Sequence, residues 1–400
     1  MLAQSHAKKN VAVLATCQML FGSTRSLLIS TAPLIAYGII DNKALTTLPT
    51  ALVIVGTAIA TVPASLLMRV IGRRAGFMVG ACIGAVGGII ACVAIIDAEF
   101  WLLCVGTLLY GLFAGFGQFY RFAAADVAPQ DFKSKAISLV LAGGVVASFV
   151  GPQLAKTGQN LIASDEFLGA YLFLIALTVL TAGALVFLDI PNLTSTERLA
   201  HQRSIAEIMA QPVFLAATLA AMMSQGVMNF LMTATPLAMA QADHQFSDTA
   251  FVIAWHSFGM FAPGFFTGSL IKRFGEVRMI MTGVLLELGC VVIALSGEQL
   301  LEFWLAMLLL GVGWNFAFTG GTSLLTQAYT PAERAKTQGA MNFLMYGFVA
   351  ILSLSSGALV HYFGWTWVNL SAIPLLVVAG AVTLWFAASQ PRGLSEKYEG

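Results

Sequence analysis

Charge is what this sequence has least of: only 10% of its 400 residues are Asp, Glu, Lys or Arg, against about 25% in an ordinary soluble domain. A chain so poor in charge cannot clothe a water-soluble exterior, and a net charge of +1 without a basic patch excludes nucleic acid as a partner. Paired cysteines are missing too. Cys17, Cys82, Cys92, Cys104 and Cys290 show no CxxC spacing and fall in apolar stretches, where they read as small buried hydrophobes rather than a disulfide framework. No Walker loop, nucleophile elbow or metal-hydrolase spacing occurs, which leaves no basis for an enzyme, a nucleotide-driven pump or a permanently bound cofactor. The glycine-rich stretches 80–88 and 111–117 lie inside apolar runs and permit close helix packing instead.

What is abundant is hydrophobicity: 58% of residues are apolar and the mean hydropathy is +0.85. The apolar residues fall in runs of about 20, the length a helix needs to cross about 30 Å of hydrocarbon. Lipid admits only helices or closed barrels, and the period-2 alternation of a barrel is absent. An all-α membrane protein of about 12 spans is therefore predicted, near 9–38, 48–70, 76–97, 100–124, 133–156, 168–189, 212–240, 249–271, 277–296, 301–325, 333–361 and 365–388. The first run follows Lys8 and Lys9 but has no convincing cleavage site and continues to Tyr37, so it reads as a retained helix.

Loop charges give an orientation. One side carries Lys8, Lys9, Arg69, Arg73, Arg74, Lys133, Lys135, Arg198, Arg203, Lys272, Arg273, Arg278, Arg334, Lys336, Arg392 and Lys397, and the other only Lys43 and Lys156. The positive-inside rule puts both termini and the loop near 191–211 in the cytoplasm. The opposite loops carry acids such as Asp41, Asp97, Glu99, Asp165 and Asp243, which either attract cations to the outer mouth or merely solvate it.

A repeat appears at an offset of about 200 residues. SLLMRVIGRRAGFMVG (65–80) aligns with SLIKRFGEVRMIMTG (269–283), ADVAPQDFKSKA (125–136) with QAYTPAERAKTQG (327–339), and STAPL (30–34) with TATPL (233–237). Two pseudo-symmetric six-helix bundles follow, a half over 1–190, a cytoplasmic linker over 191–211 and a second half over 212–400. The Gly-basic segments after the second helix of each half resemble the signature loop of the major facilitator superfamily, and the likeness spans nearly the whole chain. Arg69 and Lys272 stand where that family usually has an acid, and Tyr110 or Gly111 where many of its drug antiporters carry a basic residue. Both departures weigh against a drug exporter.

The seventh and eighth spans hold a constellation of soft ligands. Met228 and Met232, and His256 and Met260, are each spaced i, i+4 and so share a helix face. Counted at about 1.5 Å per residue from the outer ends, Met232 lies level with His256 and Met228 with Met260. The spacing predicts a Met/His rung above a Met/Met rung. Thioether and imidazole suit Cu(I) and are poor ligands for Mg²⁺ or Ca²⁺. Methionine also fills helix interfaces, and an intramembrane histidine also serves as an interhelical hydrogen bonder, so both structural readings stand beside the metal one.

MxxxM followed by HxxxM in these two spans resembles the CcoA-type copper importers of the same superfamily, as do YRFAAADVAP (120–129) and AISLVLAGGVVASFVGPQLA (136–155). The resemblance implies copper as cargo, taken up by alternating access to supply haem–copper oxidases, with copper chaperones and the lipid bilayer as partners. It makes Met228, Met232, His256 and Met260 the metal-handling set. The subfamily also contains riboflavin transporters, so riboflavin or another small organic solute or drug is the alternative cargo, with Tyr120, Trp255 and Trp314 as stacking aromatics. Arg25 and Glu287 lie mid-span and are candidates for coupling or for a fixed ion pair. Arg121 and Asp126, with Arg73 or Arg74, are candidates for a cytoplasmic gate, and Gln118, Gln225, Asn229 and Asn315 for cavity lining.

Overall fold

A computed structural model describes residues 2–42, 45–162, 165–191 and 202–389. Lys43, Arg198, Arg392, Lys397 and residues 192–201 of the expected linker lie outside the described residues. The first half of the chain forms α1 (Leu2–Ile39), α2 (Leu48–Ile71), α3 (Arg73–Ile96), α4 (Phe100–Gly117), α5 (Tyr120–Val127), α6 (Lys133–Ala142), α7 (Gly144–Gln159) and α8 (Leu168–Leu185). The second forms a short α9 (Ile205–Met209), then α10 (Pro212–Gln241), α11 (Phe246–Phe261), α12 (Gly264–Phe274), α13 (Glu276–Ala294), α14 (Leu300–Leu325) and α15 (Arg334–Ser389). The last is two helices joined across Gly364, whose φ of 77° breaks the helical run.

Among the described residues, ten helical passages are long and apolar enough to cross a membrane, and an eleventh is the pair α11–α12, bent by 41°. The segment before Gly364 is the passage beyond those eleven among the twelve expected. One expected span is bent, α11 giving way to α12 at Pro263, whereas α4 with α5 and α6 with α7 each run as one passage. A proline cannot donate the helical N–H bond, and its ring crowds the preceding turn.

The repeat is visible in the backbone. Gly72 and Gly275 close the matched loops at φ 91° and 82°, a left-handed conformation that only glycine adopts without strain. In each half the helix after that loop pairs with the next one, α3 with α4 and α13 with α14, and α4 and α14 also wedge against α2 and α11. The wedge is a glycine contact: a Cβ on Gly111 would sit 2.6 Å from the Val53 carbonyl oxygen, and one on Gly311 2.5 Å from that of His256. The two halves meet along α2 against α15 and α6 against α12.

Candidate transport site

The clearest polar structure between the halves lies at the end that carries the Gly72 and Gly275 loops, here called the basic end. Asp126, on α5, accepts from Arg73 Nη2 at 2.8 Å and lies 3.6 Å from Arg334 Nη1, so one carboxylate holds an arginine from each half. Arg73 also donates to Gln338 on α15. Arg121 reaches across to Asn342 Oδ1 at 2.8 Å and lies between the faces of Phe122 and Phe318, at 4.7 and 4.6 Å. Ser65 donates to the Ala335 carbonyl, Ser138 to that of Gly264, and Tyr346 to Gln118. A Cβ on Gly268 would lie 2.4 Å from the Lys135 Cα, so the backbones themselves touch. Arg73 rather than Arg74 makes the cross-half bonds: Arg74 is exposed, with Asp189 in its electrostatic reach.

A second ionic knot fastens the chain just before α9. Arg203 donates from Nη2 and Nε to Glu333 at 2.6 and 2.8 Å and from its own amide at 2.9 Å, while the Thr330 amide supplies a further bond at 3.0 Å. The guanidinium and these amides hold the Glu333 carboxyl far below the usual carboxylate range. Sequence reasoning missed this knot, although the repeat aligns Glu333 with Asp131, which carries a loose 3.7 Å pair with Lys272.

Deeper in the second half lie the four soft ligands on α10 and α11. Helices α10 and α11 meet only briefly, and each packs along α14 instead. His256 is fully buried and its Nδ1 lies 2.8 Å from the Met307 carbonyl on α14. A carbonyl can only accept, so Nδ1 carries the proton, and in the neutral ring Nε2 keeps its lone pair. Nε2 is buried and has no hydrogen-bond partner. Thr235 on α10 comes within 3.2 Å of the Met307 sulfur, so α14 links the His256 and Met232 helices. Met228 and Met260 are buried, and Met232 is partly buried against the core.

The other expected residues separate by role. Asn315 donates to the Met260 carbonyl at 2.6 Å and accepts from the Thr267 hydroxyl at 2.6 Å, so it braces the bend between α11 and α12. Trp314 donates to Gln225 at 2.7 Å and stacks on Phe318, with centroids 4.8 Å apart. Asn229 is turned back on its own helix, 2.9 Å from the Gln225 carbonyl. Tyr120 is buried inside the first half, edge-on to Phe77, and Trp255 is over a third exposed on an outer aromatic face with Phe251, Phe258 and Trp304. Neither Arg25 nor Glu287 forms an ion pair among the described residues; Arg25 is half-buried, with Tyr110 and Tyr346 in electrostatic reach. Glu287 is buried and accepts from Ser224 at 2.6 Å.

Two bundles zipped at one end around buried polar groups suit a protein that rocks about a central site. The family model described as Major Facilitator Superfamily matches residues 14–344 and 214–399. The chain belongs to the Major Facilitator Superfamily. As a member it is a multi-pass membrane transporter, not an enzyme. Its sequence is 40% identical over 374 residues to the riboflavin transporter RfnT of Brucella anthropi, covering 93% of this chain and 94% of that one. An uncharacterised superfamily transporter of Bacillus subtilis, YddS, is 29% identical over 95% of this chain and 91% of its own. Among solved structures, the human organic anion transporter MFSD10 aligns with a TM-score of 0.78 at 13% identity, covering 94% of this chain and 99% of that one, and shares the fold alone.

Proposed function

We propose that the protein takes up riboflavin or a closely similar flat organic solute across the bacterial inner membrane by alternating access. The observation that carries this is the 40% identity to a riboflavin transporter over nearly the full length of both chains. The local chemistry agrees with it. The Trp314–Phe318 stack, fixed by Gln225, sets buried flat aromatic rings beside the junction of the two halves. With the positive-inside orientation, the basic end is cytoplasmic, and the zipped contacts there belong to a state sealed from the cytoplasm. The test is uptake of labelled riboflavin by cells that depend on external riboflavin and lack other importers. Expression of this chain should restore uptake, and Trp314→Ala should reduce it; cells that gain no uptake despite folded protein in the membrane would overturn the reading.

A second reading, copper uptake in the manner of the CcoA-type importers, rests on a specific observation: the unpartnered Nε2 of His256. An imidazole whose Nδ1–H is tied to a backbone carbonyl is oriented as metal-ligating histidines are, with the free nitrogen aimed away from its anchor. In this reading Met228, Met232, His256 and Met260 hand Cu(I) inward, and copper chaperones receive it. Copper accumulation and oxidase activity in cells carrying His256→Val or Met232→Ala distinguish the two: loss of copper uptake with intact flavin uptake favours copper, and the reverse removes it.

A further inference from the structure

The repeat relates the two seams at the basic end, yet they are charged differently. In the α2–α15 seam one internal anion, Asp126, holds Arg73 and Arg334. The matched loops place Glu276 on Arg73, Ala328 on Asp126 and Phe132 on Arg334. The α6–α12 seam therefore lacks both that carboxylate and its arginines. Glu276 accepts from Ser323 at 3.1 Å, and Ser323 shares a 2.7 Å hydrogen bond with Ser134 of the first half. Backbone contact does the rest: the Gly268 amide donates to Ser138 Oγ at 3.0 Å, and Gly268 abuts Lys135.

Against Gly268 lies a recess of about 300 Å³, lined by Lys8, Asp131, Phe132, Lys135, Ser269 and Lys272. Three exposed lysines thus meet there from α1, α6 and α12, two from the first half and one from the second. Against them stands one carboxylate, Asp131, which lies 3.7 Å from Lys272 with both side chains about two-thirds exposed, at 68% and 64%. Lys8 and Lys135 form no ion pair among the described residues, so two positive charges are left unmatched. The helices themselves offer no remedy: α1, α6 and α12 carry no acidic residue, and at this end they add Lys9, Lys133 and Arg273.

Such a surplus calls for an anion from outside the chain. Lysine binds phosphate as a point charge, and basic pockets between helices at the cytoplasmic surface suit phosphorylated headgroups. The volume is at the low end of ligand pockets, about 300–1,000 Å³, which fits a phosphate carrying a small ester group. One face of α12 also bears Phe265, Ser269 and Lys272 at i, i+4 and i+7, and Phe265 is 61% exposed. An apolar strip therefore leads away from the recess along the helix, as an acyl chain would require.

We propose that this recess binds a phosphate-bearing anion, the headgroup of an acidic phospholipid or a soluble phosphate ester, which supplies to the second seam the negative charge that Asp126 supplies to the first. Lys135 and Lys272 belong to different halves, so the site is complete only while the seam is shut, and occupancy favours the closed form. In a bilayer without such an anion the seal rests on its internal contacts alone. The proposal goes beyond the choice of cargo and stands or falls without it.

The test uses the purified full-length protein in phosphatidylcholine nanodiscs, with hydrogen–deuterium exchange read over 128–136 and 268–276. Phosphatidylglycerol added to the disc should slow exchange in both segments, and its Lys8→Gln, Lys135→Gln and Lys272→Gln variants should each need about fivefold more of it. Arg278→Gln, which removes an exposed charge outside the recess, should respond as wild type does. Soluble glycerol phosphate, the same headgroup chemistry without chains, separates the sources: protection by the lipid alone assigns a membrane ligand, and protection by the soluble ester alone assigns a solute. Protection by neither probe, or an equal loss in Arg278→Gln, overturns the proposal.

Discussion

The two halves share a backbone plan and differ in what it encloses. Gly56 with Gly111, and Gly259 with Gly311, bring the second and fourth helices of each half to backbone contact, yet the residue beside that contact is Val53 in one half and His256 in the other. Likewise Phe21 and Phe113 close a node that Ser224 and Glu287 occupy in the second half. Where the chain crosses itself tightly, the repeat is kept; where a side chain projects inward, it has diverged. The first half thus behaves more as a packed support, and the second holds most of the buried, incompletely satisfied polar groups among the described residues.

The largest effect that would sharpen this contrast comes from the shared element. Gly111→Val and Gly311→Val should each abolish folded protein in the membrane, because the new side chain meets backbone at about 2.5 Å, and overpacking alone costs roughly 1–3 kcal/mol before the helices separate. Size-exclusion profiles of the solubilised variants check it, and a well-folded variant of either kind would break the equivalence of the two wedges.

A smaller but more telling effect concerns the diverged node. Gly84→Glu alone should destabilise the protein, since it drives a carboxyl into the Phe113 ring, whereas Phe21→Ser/Gly84→Glu/Phe113→Gly rebuilds in the first half the arrangement of the second. The triple variant should melt higher than the single one, with a coupling of about 1–3 kcal/mol. Additive losses in thermal unfolding would mean that the two nodes are not interchangeable.

The smallest expected effect compares the matched acids Glu333 and Asp131. Glu333→Gln should cost about 1–3 kcal/mol, because it removes a charge-assisted network around a buried carboxylate, while Asp131→Asn should cost under about 1 kcal/mol for an exposed pair. The folded carboxyl of Glu333 is depressed, so its contribution is present above the ordinary glutamate value of about 4.3 and is lost as pH falls from there through the lower folded value. The stability gap between wild type and Glu333→Gln should therefore shrink on acidification. A gap that widens instead would place the stabilisation elsewhere.

How much of this the sequence disclosed depends on whether a feature is carried by side-chain type or by backbone direction. The membrane class was legible in charge-poor runs, the repeat in Gly72 and Gly275, and the cross-half contacts in Arg73, Arg121 and Asp126, whose charge inside or beside an apolar run required partners. Counting rise along α10 and α11 speaks to the depth expected of Met232 and His256, but depth does not give azimuth, and nothing in the sequence marked α14 as the helix on which both pack. The partner of His256 is a carbonyl of Met307, and a backbone acceptor leaves no signature. Trp255 read as a cavity aromatic because an apolar run looks the same on its lipid face and its inner face. Nothing in the sequence singled out Gly313; that it makes room for Glu287 appears when Phe113 is seen filling the matching space.

The seal at the basic end has a consequence for how the protein responds to its surroundings. Gly268 against Lys135, Ser138 against Gly264 and Ser65 against Ala335 are joined through backbone atoms and hydroxyls, and the Arg73–Asp126 pair is almost wholly shielded. Mobile ions screen exposed charges over about 8 Å at physiological strength and reach buried ones far less. The balance between open and closed forms should therefore be nearly indifferent to salt and acutely sensitive to a single methyl group, so that crowding at Gly268, rather than ionic strength, is the means of locking the protein in its other state.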